Sequence, residues 1–107
     1  DLLREEMQFK GLYMSDWTTL GHAVTEGASR DGRESSRRAM ESGLDMDMSS
    51  GQYARWLREL VLAGEIASSL IDRAAARALT LKFTTGLFDD PYKYFDVRKE
   101  KKDHRVA

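Results

Sequence analysis

Two short apolar runs that end in polar residues constrain this chain more than any other feature. The first is Leu12-Tyr13-Met14-Ser15-Asp16-Trp17, opened by Gly11, and the second is Gly43-Leu44-Asp45-Met46-Asp47-Met48. Each has the length and aromatic or apolar content of a buried strand. The 27 residues between Asp16 and Leu44 suit a helical crossover, which makes the two strands parallel neighbours. Within the crossover Asp31 is a good N-cap, and Glu34 sits three residues on, where it can reach back to the cap's own N–H. A helix from about Gly32 to Ser42 is predicted, with Ser36, Ala39 and Met40 facing inward and Gly43 as its left-handed stop.

Beyond the second run the pattern changes period. Tyr53, Trp56, Leu57, Leu60 and Val61 recur at helical spacing, giving an amphipathic helix that Gly64 closes. Ser68 or Ser69 then caps a further helix whose stripe is Ile71, Ala74, Ala75, Ala78 and Leu79, running to Gly86. Pro91 forbids its continuation. From Lys93 to Arg105 six Lys or Arg stand against three Asp or Glu, the make-up of a solvated linker. The order is α/β with parallel strands. Two such strands do not make a stable domain, because a parallel sheet is covered on both faces, so neighbouring strands are expected from outside this sequence.

Composition narrows the partners. Seventeen Lys and Arg against eighteen Asp and Glu leave a net charge of −1, so no broad attraction to nucleic acid or to a membrane surface is expected. No cysteine is present, which excludes disulfides and thiolate metal centres. No segment has the length of a membrane span or the pattern of a signal peptide. The chain opens on Asp1 with Leu2, Leu3 and Met7 in a charged, helix-like stretch, and we expect an excised segment whose export signal would lie ahead of it.

Asp16 is the first candidate for chemistry. Alternation puts it on one face with Leu12 and Met14, at the strand's carboxyl end, where α/β proteins bind ligands. A carboxylate followed by the flat indole of Trp17 suits sugar chemistry, with the carboxylate attacking or stabilising an anomeric carbon while the ring stacks. The plain alternative is that Asp16 caps the turn after a strand. Asp45 and Asp47 fall on the face opposite Leu44, Met46 and Met48; two carboxylates are too few for a hard cation, and a hydrogen-bonded structural role is expected. His22 and His104 stand alone, without metal-ligand spacing. The methionines and Trp56 read as core, except Met48, which the strand's end would bring to the same pocket mouth as Asp16.

Three ordered motifs add a resemblance. Phe9-Lys10-Gly11-Leu12-Tyr13-Met14-Ser15-Asp16-Trp17 resembles the nucleophile strand of glycoside hydrolase family 3, roughly G-F-x-V-S-D-W. Ala39 to Met48 is similar to the family's A-x-x-A-G-x-D-M-x-M, and Leu81 to Tyr92 to its L-K-F-x-x-G-L-F-x-x-P-Y. The resemblance implies the last two βα units of a (β/α)8 barrel, incomplete as a domain. Residues 1–90 would be the C-terminal portion of the barrel domain and 91–107 a linker toward a second domain. It further implies a retaining β-glucosidase or β-xylosidase acting on terminal nonreducing residues, with Asp16 as nucleophile, Trp17 and Met48 as substrate-binding residues, no cofactor or metal, and a periplasmic or secreted location. The acid/base residue would come from elsewhere in the enzyme, so the segment alone is expected to be inactive. Its partners would be a β-glucoside or oligosaccharide substrate and the remainder of the same enzyme. Two other readings stand beside it: a noncatalytic fragment that completes a barrel, and an aspartate phosphoacceptor module, which would need further acidic metal ligands near Asp16.

Overall fold

The computed structural model describes residues 2–96 and Arg98. Its regular elements are a short π-helical turn, Leu2–Glu6, and four helices: α1 Thr19–Thr25, α2 Gly32–Glu41, α3 Gln52–Leu62 and α4 Ser68–Thr84.

The two apolar runs lie side by side in parallel, as their spacing predicts, but among the described residues they close one bridge, Met14 to Met46, and no extended strand. Ser15 donates to the Met46 carbonyl at 3.0 Å, and Met46 donates to the Tyr13 carbonyl at 3.0 Å. Each run has a partner on one side only, and an isolated pair of this length has too few ladder bonds to propagate. The expected strands are therefore corrected to a bridge, while their parallel direction holds; Met14 and Met46, read as core, are corrected to exposed residues. Tyr13 and Ser15 turn toward the helices and Ser15 is buried, whereas Met14 and Met46 face away and are 50% and 37% exposed.

The crossover holds two helices where the sequence pattern suggested one. α1 is short and starts without a side-chain cap, after Thr18 in a left-handed conformation (φ 52°), so it carries none of the usual start signals. It packs on α2, where the Ser35 hydroxyl donates to the Leu20 carbonyl at 2.8 Å and both residues are buried. α2 begins as its cap predicts, with the Asp31 carboxylate accepting from the Glu34 N–H at 2.8 Å. Glu34 reaches past the cap to the Arg30 N–H at 2.8 Å instead of the Asp31 N–H. Ser36 and Met40 are buried as expected, Ala39 half so, and Gly43 takes φ 95° where the helix stops.

The core lies between α2, α3 and α4. Met40, Leu60, Ile66 and Ala74 are buried there, and Tyr53, Trp56, Leu57, Val61, Leu70 and Ile71 pack against them. Leu60 has no solvent exposure at all. The start of α3 is capped from a distance, because the Asp47 carboxylate accepts from the N–H groups of Gln52 (2.8 Å) and Tyr53 (3.2 Å) and from the Ser50 hydroxyl. α4 is not capped by Ser68 or Ser69: its N-cap is Ala67, with no side-chain bond. Ile71 and Ala74 face the core, but Ala75 and Leu79 are exposed, as are Leu81 and Phe83. The predicted stripe thus meets the core only over its first turns; farther along, Arg77 reaches Asp45 and Leu81 lines a hollow with Gly11 and Leu12, while Leu79 and Phe83 stay exposed. His104 and most of the predicted linker lie outside the described residues.

Candidate functional site

The parallel pairing brings the carboxyl ends of the two runs together. Thr18 donates to the Met48 carbonyl at 2.8 Å, and Met48 donates to the Ser15 hydroxyl at 2.9 Å. Asp16, Trp17 and Met48, all predicted from the sequence, therefore meet at one edge of the molecule.

Asp16 is exposed. It shares the uncovered face of Met14, and no described element lies over that face. One carboxylate oxygen, Oδ1, accepts from the Trp17 N–H at 2.6 Å, which holds the group against its own turn. The Asp16 carbonyl accepts from the Thr19 hydroxyl at 3.0 Å. Trp17 is 65% exposed, a bare aromatic face beside the carboxylate. Met48 is half-buried.

The turns that follow both runs hold strained residues. Thr18 has φ 52° and Ser49 φ 63°, and a β-branched residue in the left-handed region is unusual enough to need fixing by its surroundings. Thr18 is fixed through its N–H to Met48 and through its hydroxyl, 3.0 Å from His22 Nε2. His22, which stands without metal-ligand spacing, is an exposed surface residue of α1 that braces this turn. The sequence held no signal for that contact, since α1 itself was not legible.

Asp45 and Asp47 have the hydrogen-bonded roles expected of them. Asp47 caps α3 as described. Asp45 is buried and accepts from Arg4, from Arg77 Nη1 at 2.7 Å and from the Tyr13 N–H at 2.9 Å. The Arg4 guanidinium also lies 4.2 Å from the centre of the Tyr13 ring, which stacks with Phe9 at 4.8 Å. Arg4 and Arg77 were not singled out in the sequence. Among the described residues no group of three or more His, Asp or Glu is placed to hold a metal ion, which leaves the phosphoacceptor reading without its ligands. Behind the bridge a cavity of about 340 Å³ opens on the helical side, lined in part by Arg4, Asp45, Arg73 and Arg77; Asp16 does not line it. Burial raises the pKa of the Tyr53 phenol, with the nearby Asp47 and Asp45 charges adding to the effect.

Comparison with known proteins connects the chain to a family. Residues 1–81 match the model of the glycosyl hydrolase family 3 N terminal domain. A periplasmic beta-glucosidase of Salmonella typhimurium is 31% identical over 99 residues, covering 92% of this chain and 13% of that protein. A lysosomal beta glucosidase of Dictyostelium discoideum is 34% identical over 98 residues, 86% of this chain and 12% of that protein. Among solved structures, a beta-glucosidase from Listeria innocua superposes with a TM-score of 0.87 at 36% identity, over 96% of this chain and 14% of its own. This chain thus spans about an eighth of the length of the curated relatives it matches. Among the described residues no helix is long and apolar enough to cross a membrane.

Proposed function

The chain belongs to glycosyl hydrolase family 3, and from that premise we propose that it forms the nucleophile-bearing part of a retaining β-glucosidase or β-xylosidase. The carrying observation is the meeting of Asp16, Trp17 and Met48 at the carboxyl ends of two parallel runs, on a face that lacks a cover. In this reading residues 1–90 are the last two βα units of a (β/α)8 barrel, and 91–107 lead to a second domain. Met14, Met46 and the apolar end of α4 then face side chains supplied by the remainder of the enzyme. The substrate is a terminal nonreducing β-glucosyl or β-xylosyl residue, met in the periplasm or outside the cell.

The chemistry follows from the carboxylate. Oδ1 is engaged by the Trp17 N–H, so Oδ2 is the oxygen that attacks the anomeric carbon. As that bond forms, the glycosidic C–O bond breaks and the leaving oxygen takes a proton from an acid. The same acid, now a base, removes a proton from water, which attacks the anomeric carbon and releases Asp16. Trp17 supplies an apolar wall for the sugar ring.

Retention requires the second carboxyl about 5 to 5.5 Å from the first. Asp45 is bound to two guanidinium groups and Asp47 to the start of α3, so neither serves. The acid/base belongs to the remainder of the enzyme, and the segment by itself is inactive. The test is a 2-fluoro sugar with a good leaving group, which forms the glycosyl ester but slows its hydrolysis. Digestion of the intact enzyme should yield the peptide around Asp16 carrying the sugar's mass; a label on any other carboxylate removes the proposal.

A further inference from the structure

We infer that Asp45 is a positioning residue for Asp16: its carboxylate sets the register in which the run bearing Asp16 lies against the run ending in Met48. The inference rests on the reading of Asp16 as nucleophile and adds a residue that reading does not use.

Residue 45 holds Tyr13 by both backbone polar groups. The Tyr13 N–H donates to Asp45 Oδ2 at 2.9 Å, and the Asp45 N–H donates to the Tyr13 carbonyl at 3.0 Å. The next residues along form the Met14 to Met46 bridge, and two further on stand Asp16 and Met48. Only one bridge joins the runs, so ladder bonds alone specify the register weakly, and a slip of one residue would turn Asp16 to the opposite face. The side-chain bond from Asp45 to the Tyr13 backbone is available in one register only.

The carboxylate is itself immobilised. Arg4 from the π-helical turn and Arg77 from α4 both bind it, and its side chain is 1% exposed. Arg4 also donates to the Gly11 carbonyl at 2.9 Å, at the head of the same run. Two guanidinium groups on one buried carboxylate hold it aimed at the Tyr13 backbone. Three separate parts of the chain thereby converge on the backbone three residues before Asp16.

The test uses the full-length enzyme with Asp45→Asn and Arg77→Gln. Displacement of a reacting group by about 1 Å lowers rate by roughly 10²-fold. In D45N, labelling of Asp16 by the 2-fluoro sugar should therefore slow about 10²-fold in the folded fraction, and R77Q, which leaves Arg4 in place, should slow it about tenfold. Hydrogen exchange at the Ser15, Met46 and Thr18 amides should speed up at least tenfold in D45N. Labelling at the wild-type rate overturns the inference whatever the amides do, and slow labelling with unchanged amide protection overturns the register account. If D45N does not fold, R77Q decides on the same two readouts. Failure of the wild-type enzyme to label at Asp16 would instead remove the nucleophile reading, and amide exchange alone would then judge the clamp.

Discussion

The two sides of this molecule are finished to different degrees. On the helical side, Leu60, Met40 and Ile66 are sealed between α2, α3 and α4, and the buried carboxylate of Asp45 has all its donors. On the other side Met14, Met46 and Trp17 stand in the open, 50%, 37% and 65% exposed. Met14 and Met46 are bridge partners, so their bare side chains lie together, and an exposed apolar patch marks an interaction surface. The lesson is that stability and the proposed chemistry are housed separately here: the closed side holds the backbone in place, and the open side presents the Asp16 carboxylate.

Experiments on either side should give different answers. The largest effect is expected from Asp16→Ala in the full-length enzyme, which should lower kcat by roughly 10⁴-fold or more, as loss of a covalent nucleophile does, with little change in melting temperature. Activity within tenfold of wild type would end the distinction. On the closed side, Leu60→Ala should cost about 2–5 kcal/mol in denaturant unfolding through lost burial and the cavity left behind. Met46→Ala, in the segment alone, should fall within about 0.5 kcal/mol of wild type; a cost near that of Leu60→Ala would show that the open face is covered.

A smaller effect belongs to the cap of α2. Asp31→Ala removes the acceptor of the Glu34 N–H and should cost about 1 kcal/mol, read from the shift in denaturation midpoint.

The smallest effect is electrostatic. The bidentate Arg33 pair, 2.6 and 2.8 Å, holds the Glu65 carboxyl below its ordinary 4.5, and the Glu34 N–H holds Asp31 below 3.8. Both folded values lie below the unfolded ones, so their contribution is complete above about pH 4.5 and is lost as pH falls through the lowered values. Both sites are fully open to solvent, so the loss should be slight. Glu65→Gln should flatten the acid limb of a stability profile between pH 5 and 3, and an unchanged limb would show that the ion pair contributes nothing.

How much was legible follows from which interactions are local. The cap at Asp31, the stop at Gly43 and the stripe of α3 depend on residues within a turn or two, and each lies where the spacing put it. The alternation that separated Asp16 and Met14 from Tyr13 and Ser15 was also readable, because the pleat has a period of two whatever surrounds it. What failed were features that need neighbours. The runs were read as strands and closed one bridge, since an isolated pair this short has too few ladder bonds to propagate. α1 passed unseen because it is 7 residues long and its N-cap, Thr18, makes no side-chain capping bond, and Ser68 looked like a cap only because serine often is one. The outer half of α4 follows the apolar spacing yet leaves Leu79 exposed.

The candidate site divides in the same way. From residue types and order alone came the family motifs, the carboxylate beside an indole at the end of an apolar run, and the parallel relation to the run ending in Met48. Only the tertiary structure decided that Arg4 and Arg77 would close on Asp45 across 41 and 32 residues, that His22 would brace Thr18, and that Asp16 would stand on an open face. The physical reason is range. Periodicity and capping act over a few residues and leave a trace in the sequence, whereas a buried ion pair depends on where helices far apart along the chain finally pack.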